Sequence, residues 1–215
     1  MKKIISLALA GVMALSLVAC GTEKPAETTA PIETTVPVET TVAPETTAPE
    51  AETQAPAVSN GSVAILENIW NLYGEDEQFA VIGGNMESPV DGAPGNYDMA
   101  YAENLTYNLL VPADQLANVD EAATMIHMMN ANTFTCGVVH LVEGTDAAAF
   151  AQVMRDAIQG NMWMCGFPET LTVAVIDGSY VLIAFGINDA MNPFMGHFAE
   201  AYAEAEILFN EAIAG

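Results

Sequence analysis

Sulfur is the chemically versatile element this chain carries in quantity, with 12 methionines and 3 cysteines. Two stretches concentrate it. Met125, His127, Met128 and Met129 form the first, and Met162, Met164 and Cys165 form the second, within Met162-Trp163-Met164-Cys165-Gly166-Phe167-Pro168. Thioether and thiolate sulfur are soft donors that suit copper(I). Methionine at helical spacing also fills apolar cores, so this chemistry requires the two stretches to cluster in space. Cys165 could instead act as a thiol nucleophile, for which His127, His140 and His197 are the available bases. Cys136 and His140 share one face of a predicted strand but stand ~13 Å apart along it, too far to touch.

Other reactive arrangements are missing. Zinc would want His-Glu-x-x-His or Cys-x-x-Cys, and neither occurs. The acidic turn Glu75-Asp76-Glu77 lacks the spaced ligands and glycine of a calcium loop, and reads as a solvated charge run. There is no Gly-x-Ser-x-Gly, and Ser179 falls in a predicted hairpin turn. No phosphate-binding Gly-x-x-x-x-Gly-Lys-Ser/Thr is present. Tyr97 and Tyr101, beside a Pro/Gly-rich loop, and Trp163 offer aromatic faces for sugar rings or peptide side chains, or else pack. Cys136 and Cys165 either form a disulfide closing a loop of about 30 residues, a constraint of roughly 3–4 kcal/mol, or remain two buried thiols. No catalytic residue, cofactor or metal ligand set is assigned on this basis.

The 215 residues carry a net charge of −24. The cationic side chains are Lys2, Lys3, Lys24 and Arg155. Such a chain has almost nothing with which to neutralise phosphates, which excludes nucleic acid as a partner. It attracts cations or a basic protein partner, or simply keeps itself soluble by self-repulsion.

Lys2 and Lys3 precede a short apolar run, Ile4 to Val18, too brief and wrongly flanked for a spanning helix. It ends in Leu17-Val18-Ala19-Cys20-Gly21, which resembles the lipobox of bacterial lipoproteins. The resemblance implies a signal peptide over residues 1–19 and diacylation, by palmitate-like chains, of Cys20 as the first mature residue. It places the chain on the outer face of the cytoplasmic membrane, in the cell envelope.

Residues 20–57 then read as a lipidated tether. Units such as Glu27-Thr28-Thr29-Ala30-Pro31 and Glu33-Thr34-Thr35-Val36-Pro37 recur, with no large apolar side chains spaced to build a core. Regular proline favours polyproline II, and the glutamates repel one another. A disordered, semi-rigid Thr/Pro/Glu stalk of this length reaches on the order of 100 Å at ~3.1 Å per residue, enough to carry a domain into the wall polymer.

Residues 58–215 read as an α+β domain. A helix is predicted for 62–73, a short strand for 79–82, loop for 85–97, and helices for 99–110 and 120–129. Strand 133–142 leads to a helix capped by Thr145, with Phe150, Val153, Met154, Ala157 and Ile158 on one face and Gly160 at its end. Strands 171–176 and 180–187 flank the hairpin signal Asp177-Gly178-Ser179. Asn192-Pro193 resembles a helix start, and Ile207-Leu208-Phe209 extends that helix or forms a last strand. With a last strand, residues 133–213 read β-α-β-β-α-β, a ferredoxin-like core with the N-terminal helices covering the sheet's other face. Phe134, Val138, Leu182 and Phe185 are then expected to be buried on central strands, with Phe150 and Phe198 packed over the sheet.

Met128-Met129-Asn130-Ala131-Asn132 before a strand, the helix after it, and Gly178-Ser179-Tyr180-Val181 opening a later strand give residues 113–198 a likeness to a group of small lipoproteins. This stretch resembles the C-terminal domain of lipoproteins from gut clostridia (Firmicutes), a domain without assigned function. The resemblance implies an extracytoplasmic α+β domain and carries over no catalytic residues. The expected function is a non-enzymatic surface-binding or envelope module, meeting the membrane through its lipid, with wall polymer or a basic protein as the candidate partner of its domain. The alternatives are a small cell-wall hydrolase or thiol enzyme, and a soft-metal (copper) binding lipoprotein.

Overall fold

The computed structural model describes residues 61–214. The expected signal peptide, the Cys20 lipidation site and the tether lie outside the described residues.

Helix α1 (Ser62–Trp70) buries Ile65, Leu66, Ile69 and Trp70 on one side. The carboxylate of Glu121, far along the chain, accepts the N–H of Ser62 at its first turn. Short strands β1 (Val81–Gly83), β2 (Val90–Asp91) and β3 (Gly95–Asn96) follow. The expected helix over 99–110 is a 3₁₀ segment, Met99–Asn104, running into one α-helical turn, α2 (Leu105–Asn108).

The helix expected over 120–129 is instead a strand, β4 (Val119–His127). Its alanines and methionine favour a helix locally, but Ala122, Ala123, Thr124 and Met125 are buried at four successive positions. A surface helix buries a stripe, whereas a strand covered on both faces buries every residue. The β-branched partner strand supplies the hydrogen-bond ladder, and tertiary context overrides propensity.

From β5 (Phe134–Leu141) onward the predicted order holds: α3 (Ala147–Gln159), β6 (Thr170–Ile176), β7 (Tyr180–Gly186), α4 (Asn188–Ala201) and β8 (Glu206–Ala212). Boundaries move by local chemistry. Asp146, rather than Thr145, caps α3, its carboxylate accepting from the N–H groups of Ala148 and Ala149. Helix α4 begins at Asn188 instead of Asn192, because the Glu169 carboxylate accepts the Asn188 N–H and caps it from outside; Pro193 lies within the helix. Asp177 and Gly178 turn the β6–β7 hairpin with φ of 52° and 73°, as a type I′ turn requires.

All strand pairs are antiparallel, in the order β2-β1-β4-β5-β7-β6-β8 with β3 also beside β4. The protein is therefore α+β, and its last strand departs from the ferredoxin-like arrangement. That arrangement needs β8 beside β5. Here the β4–β5 hairpin already occupies that edge of β5, and β8 pairs with the free edge of β6.

The helices are also divided between the faces. On one, α1 and α4 pack on Phe134, Cys136, Val138, Leu182 and Ala184, with Phe194 and Phe198 from α4. On the other, α3 and the α2 region pack on Val139, Leu141, Val173, Ile183 and Phe185, with Phe150 and Met154 from α3. The expected burial of Phe134, Val138, Leu182, Phe185, Phe150 and Phe198 is observed, with Phe150 and Phe198 on opposite sides of the sheet.

Candidate functional site

Antiparallel pairing brings the end of β4, the start of β5, the end of β7 and the start of β6 to one end of the sheet. Two loops project there: residues 128–133, closing the β4–β5 hairpin, and residues 160–169, returning from α3 to β6. These are the two sulfur-rich stretches, and side-chain amides join them. Asn132 Nδ2 donates to the carbonyls of Met164 and Gly166 at 2.8 and 3.0 Å, and Asn130 Nδ2 donates to that of Cys165 at 2.9 Å. Three successive carbonyls of one loop are thus held by two asparagines of the other. Asn130 Oδ1 accepts the N–H of Asn132, which sets the pair in register.

The clamp leaves sulfur outside. Met129 is 82 % exposed, Met162 89 %, Met164 79 % and Phe167 69 %, while Met128 is half-exposed. Cys165 is exposed as a free thiol and adopts the left-handed region at φ 62°, a conformation a residue with a Cβ holds only when its surroundings over-determine it. Between the two outward methionines, Trp163 turns inward, its ring 5.2 Å from that of Phe185. Exposure therefore alternates along Met162, Trp163 and Met164.

The remaining members of the first stretch are used elsewhere. Met125 is fully buried between the sheet and α1. His127 stacks on Phe79 at 5.7 Å, and its Nδ1 accepts the N–H groups of Met129 and Asn130 at 3.2 and 3.3 Å. An accepting Nδ1 is unprotonated, so the neutral ring carries its proton on Nε2.

The other residues singled out from the sequence do not converge. Tyr97 is buried, its hydroxyl accepting from Asn108 Nδ2 at 3.1 Å, and burial pushes its phenol up to about 12. Tyr101 is exposed on the 3₁₀ segment, and Trp163 is partly buried with its indole nitrogen unpartnered. Cys136 lies buried in the middle of β5, and burial raises its thiol well above the ordinary range. Cys136 and Cys165 are both free, so the disulfide considered above is not formed.

His140 meets Asp120 at 2.6 Å. His197 lies against Tyr73, with ring centroids 4.4 Å apart, and its Nε2 is 3.5 Å from the Glu77 carboxylate. No histidine is thus paired with Cys165 among the described residues. Glu75, Asp76 and Glu77 are exposed, and no group of three His, Cys, Asp or Glu residues suited to a metal occurs among the described residues.

The residues that sequence reading missed here are Asn130, Asn132 and Phe167. Asparagine before a strand signals a side-chain-bonded turn, but its partners lie more than thirty positions away and are set by strand pairing. Among the described residues, no helix is long and apolar enough to cross a membrane. No family model matches the chain, and neither a curated protein nor a solved structure is significantly similar to it.

Proposed function

We propose that this chain is a lipid-anchored extracytoplasmic binding protein of a bacterial envelope, and that the clamped sulfur-rich surface is its binding site. The observation that carries the reading is the pair of asparagines holding the 160–169 loop against the β4–β5 hairpin, which keeps exposed methionine and phenylalanine outward. Loops ordered by side chain–backbone hydrogen bonds while presenting apolar groups to water pay a solvation cost that a ligand relieves. The lipobox-like Leu17-Val18-Ala19-Cys20-Gly21 and the Glu-Thr-Thr-Pro tether support display on the outer face of the membrane, and so does the likeness to small clostridial lipoproteins. The strongly acidic chain suits cationic ligands or a basic partner.

Cys165 provides the test, because it is exposed and Cys136 is buried. On intact cells, a membrane-impermeant maleimide should label the protein at Cys165, and Cys165→Ser should abolish the labelling. Envelope-embedded protein should react more slowly than the purified, stripped protein, because a ligand covers the thiol. Equal reactivity in the two would overturn the binding reading. Cys20→Ala should release the protein into the medium or leave it unprocessed; normal cleavage and retention would overturn the anchoring.

A further inference from the structure

Resting on that binding reading, the geometry points to a soft monovalent metal, copper(I), as the ligand of the clamped surface. Five sulfur atoms belong to the two joined loops: Cys165 Sγ and the thioethers of Met128, Met129, Met162 and Met164. Met162 and Met164 are both exposed, on either side of Trp163, whose ring rests on Phe185. Cys165 follows directly, its backbone turned by the left-handed conformation and its carbonyl tied to Asn130. The facing hairpin adds Met129 and Met128 from residues adjoining that same asparagine.

The donor set is what selects the ion. A single thiolate among several thioethers favours copper(I), whereas zinc sites draw on several thiolates, imidazoles or carboxylates together. The nearest imidazole on these loops, His127, is withdrawn by the two backbone N–H groups that its Nδ1 accepts. No cluster of His, Cys, Asp or Glu suited to a harder metal is found among the described residues. Apart from Phe167, the large exposed apolar side chains of these loops are all methionine. Leucine or isoleucine would serve an apolar contact equally well, but only methionine carries a lone pair for a metal. The net charge of −24 raises the local concentration of cations. On binding, the Cys165 thiol gives its proton to solvent and its sulfur forms the bond to copper. The methionines donate lone pairs, and no electron is transferred.

The test uses the full-length chain carrying Cys20→Ala, reduced and anaerobic, with copper(I) supplied as its complex with a chromogenic chelator. The expected result is withdrawal of one copper(I) per chain, a thermal midpoint raised by bound metal, and no comparable uptake of zinc. Met162→Leu with Met164→Leu keeps the surface apolar and nearly the same in volume while removing two donors. That pair, and separately Cys165→Ser, should weaken copper(I) binding at least tenfold with unchanged circular dichroism. Failure to draw copper(I) from the chelator, or leucine variants that bind as the parent does, would overturn the inference. If Cys165 remains protected in envelopes of the leucine variant, the occupant is an apolar partner: the metal inference falls and the binding reading stands. Copper(I) uptake in solution with no protection in envelopes does the reverse.

Discussion

Asn132 holds Met164: its side-chain amide donates to the Met164 carbonyl at 2.8 Å and to the Gly166 carbonyl at 3.0 Å. Residues of a hairpin loop and a helix–strand connection thereby become one surface. Asn132→Ala should cost about 1–2 kcal/mol, the net worth of two hydrogen bonds, and should speed amide exchange across residues 161–168. Asn132→Asp should be worse, because a carboxylate faces carbonyl oxygens with no donor. Unchanged exchange in both variants would show that the loop is held by other means.

Gly137 lets α2 lie on the sheet. A Cβ there would meet Leu109 Cδ1 at 2.3 Å, so Gly137→Ala should destabilise by about 1–3 kcal/mol through overpacking, despite alanine's smaller backbone entropy loss. Adding Leu109→Val should recover part of that loss. Urea midpoints of the two single variants and the double variant would decide it, and strict additivity would place the clash elsewhere.

Phe150 and Phe198 are both buried, against opposite faces of the sheet. Either change to alanine should cost roughly 3–5 kcal/mol. Because the two cores share no side chains, Ile158→Val and Phe198→Ala should add to within about 0.5 kcal/mol. Coupling well above that would indicate a single shared core.

Stability should fall on the alkaline side. Burial raises the Cys136 thiol above its reference value of 9.0 and the Tyr97 phenol from 10.0 to about 12, and it raises Tyr73 in the same direction. The folded state therefore keeps protons that the unfolded chain loses. The stabilisation is complete below about pH 9 and is lost as pH rises through 9–12. Urea midpoints should be level through neutral pH and decline from near pH 9, with Cys136→Ala moving the onset upward. A midpoint that holds steady to pH 11 would contradict this. Of the two cysteines in the described residues, Cys165 should react in the native protein and Cys136 only after denaturation.

Periodicity made much of the fold legible. The stripe Phe150, Met154, Ile158 marked α3, and Asp177-Gly178 marked the β6–β7 hairpin, because 3.6-residue spacing and positive-φ turns are local properties. The sulfur of the site was legible too, since Met128, Met129, Met162, Met164 and Cys165 are visible as residue types. Non-local choices were not. Asp120 to Met129 has the composition of a helix, yet all of it up to His127 lies in β4, because pairing with β5 and burial on both faces outweigh a propensity of a few tenths of a kcal/mol per residue. Whether β8 joins β5 or β6 depends on which edge is still free, and no property of Ile207-Leu208-Phe209 itself records that. The same holds for the site. Residue types alone say which donors exist, but it is the strand order that lets Asn130 and Asn132 reach Cys165, Met164 and Gly166, since hydrogen bonds across more than thirty residues form after the sheet has brought their partners to one end.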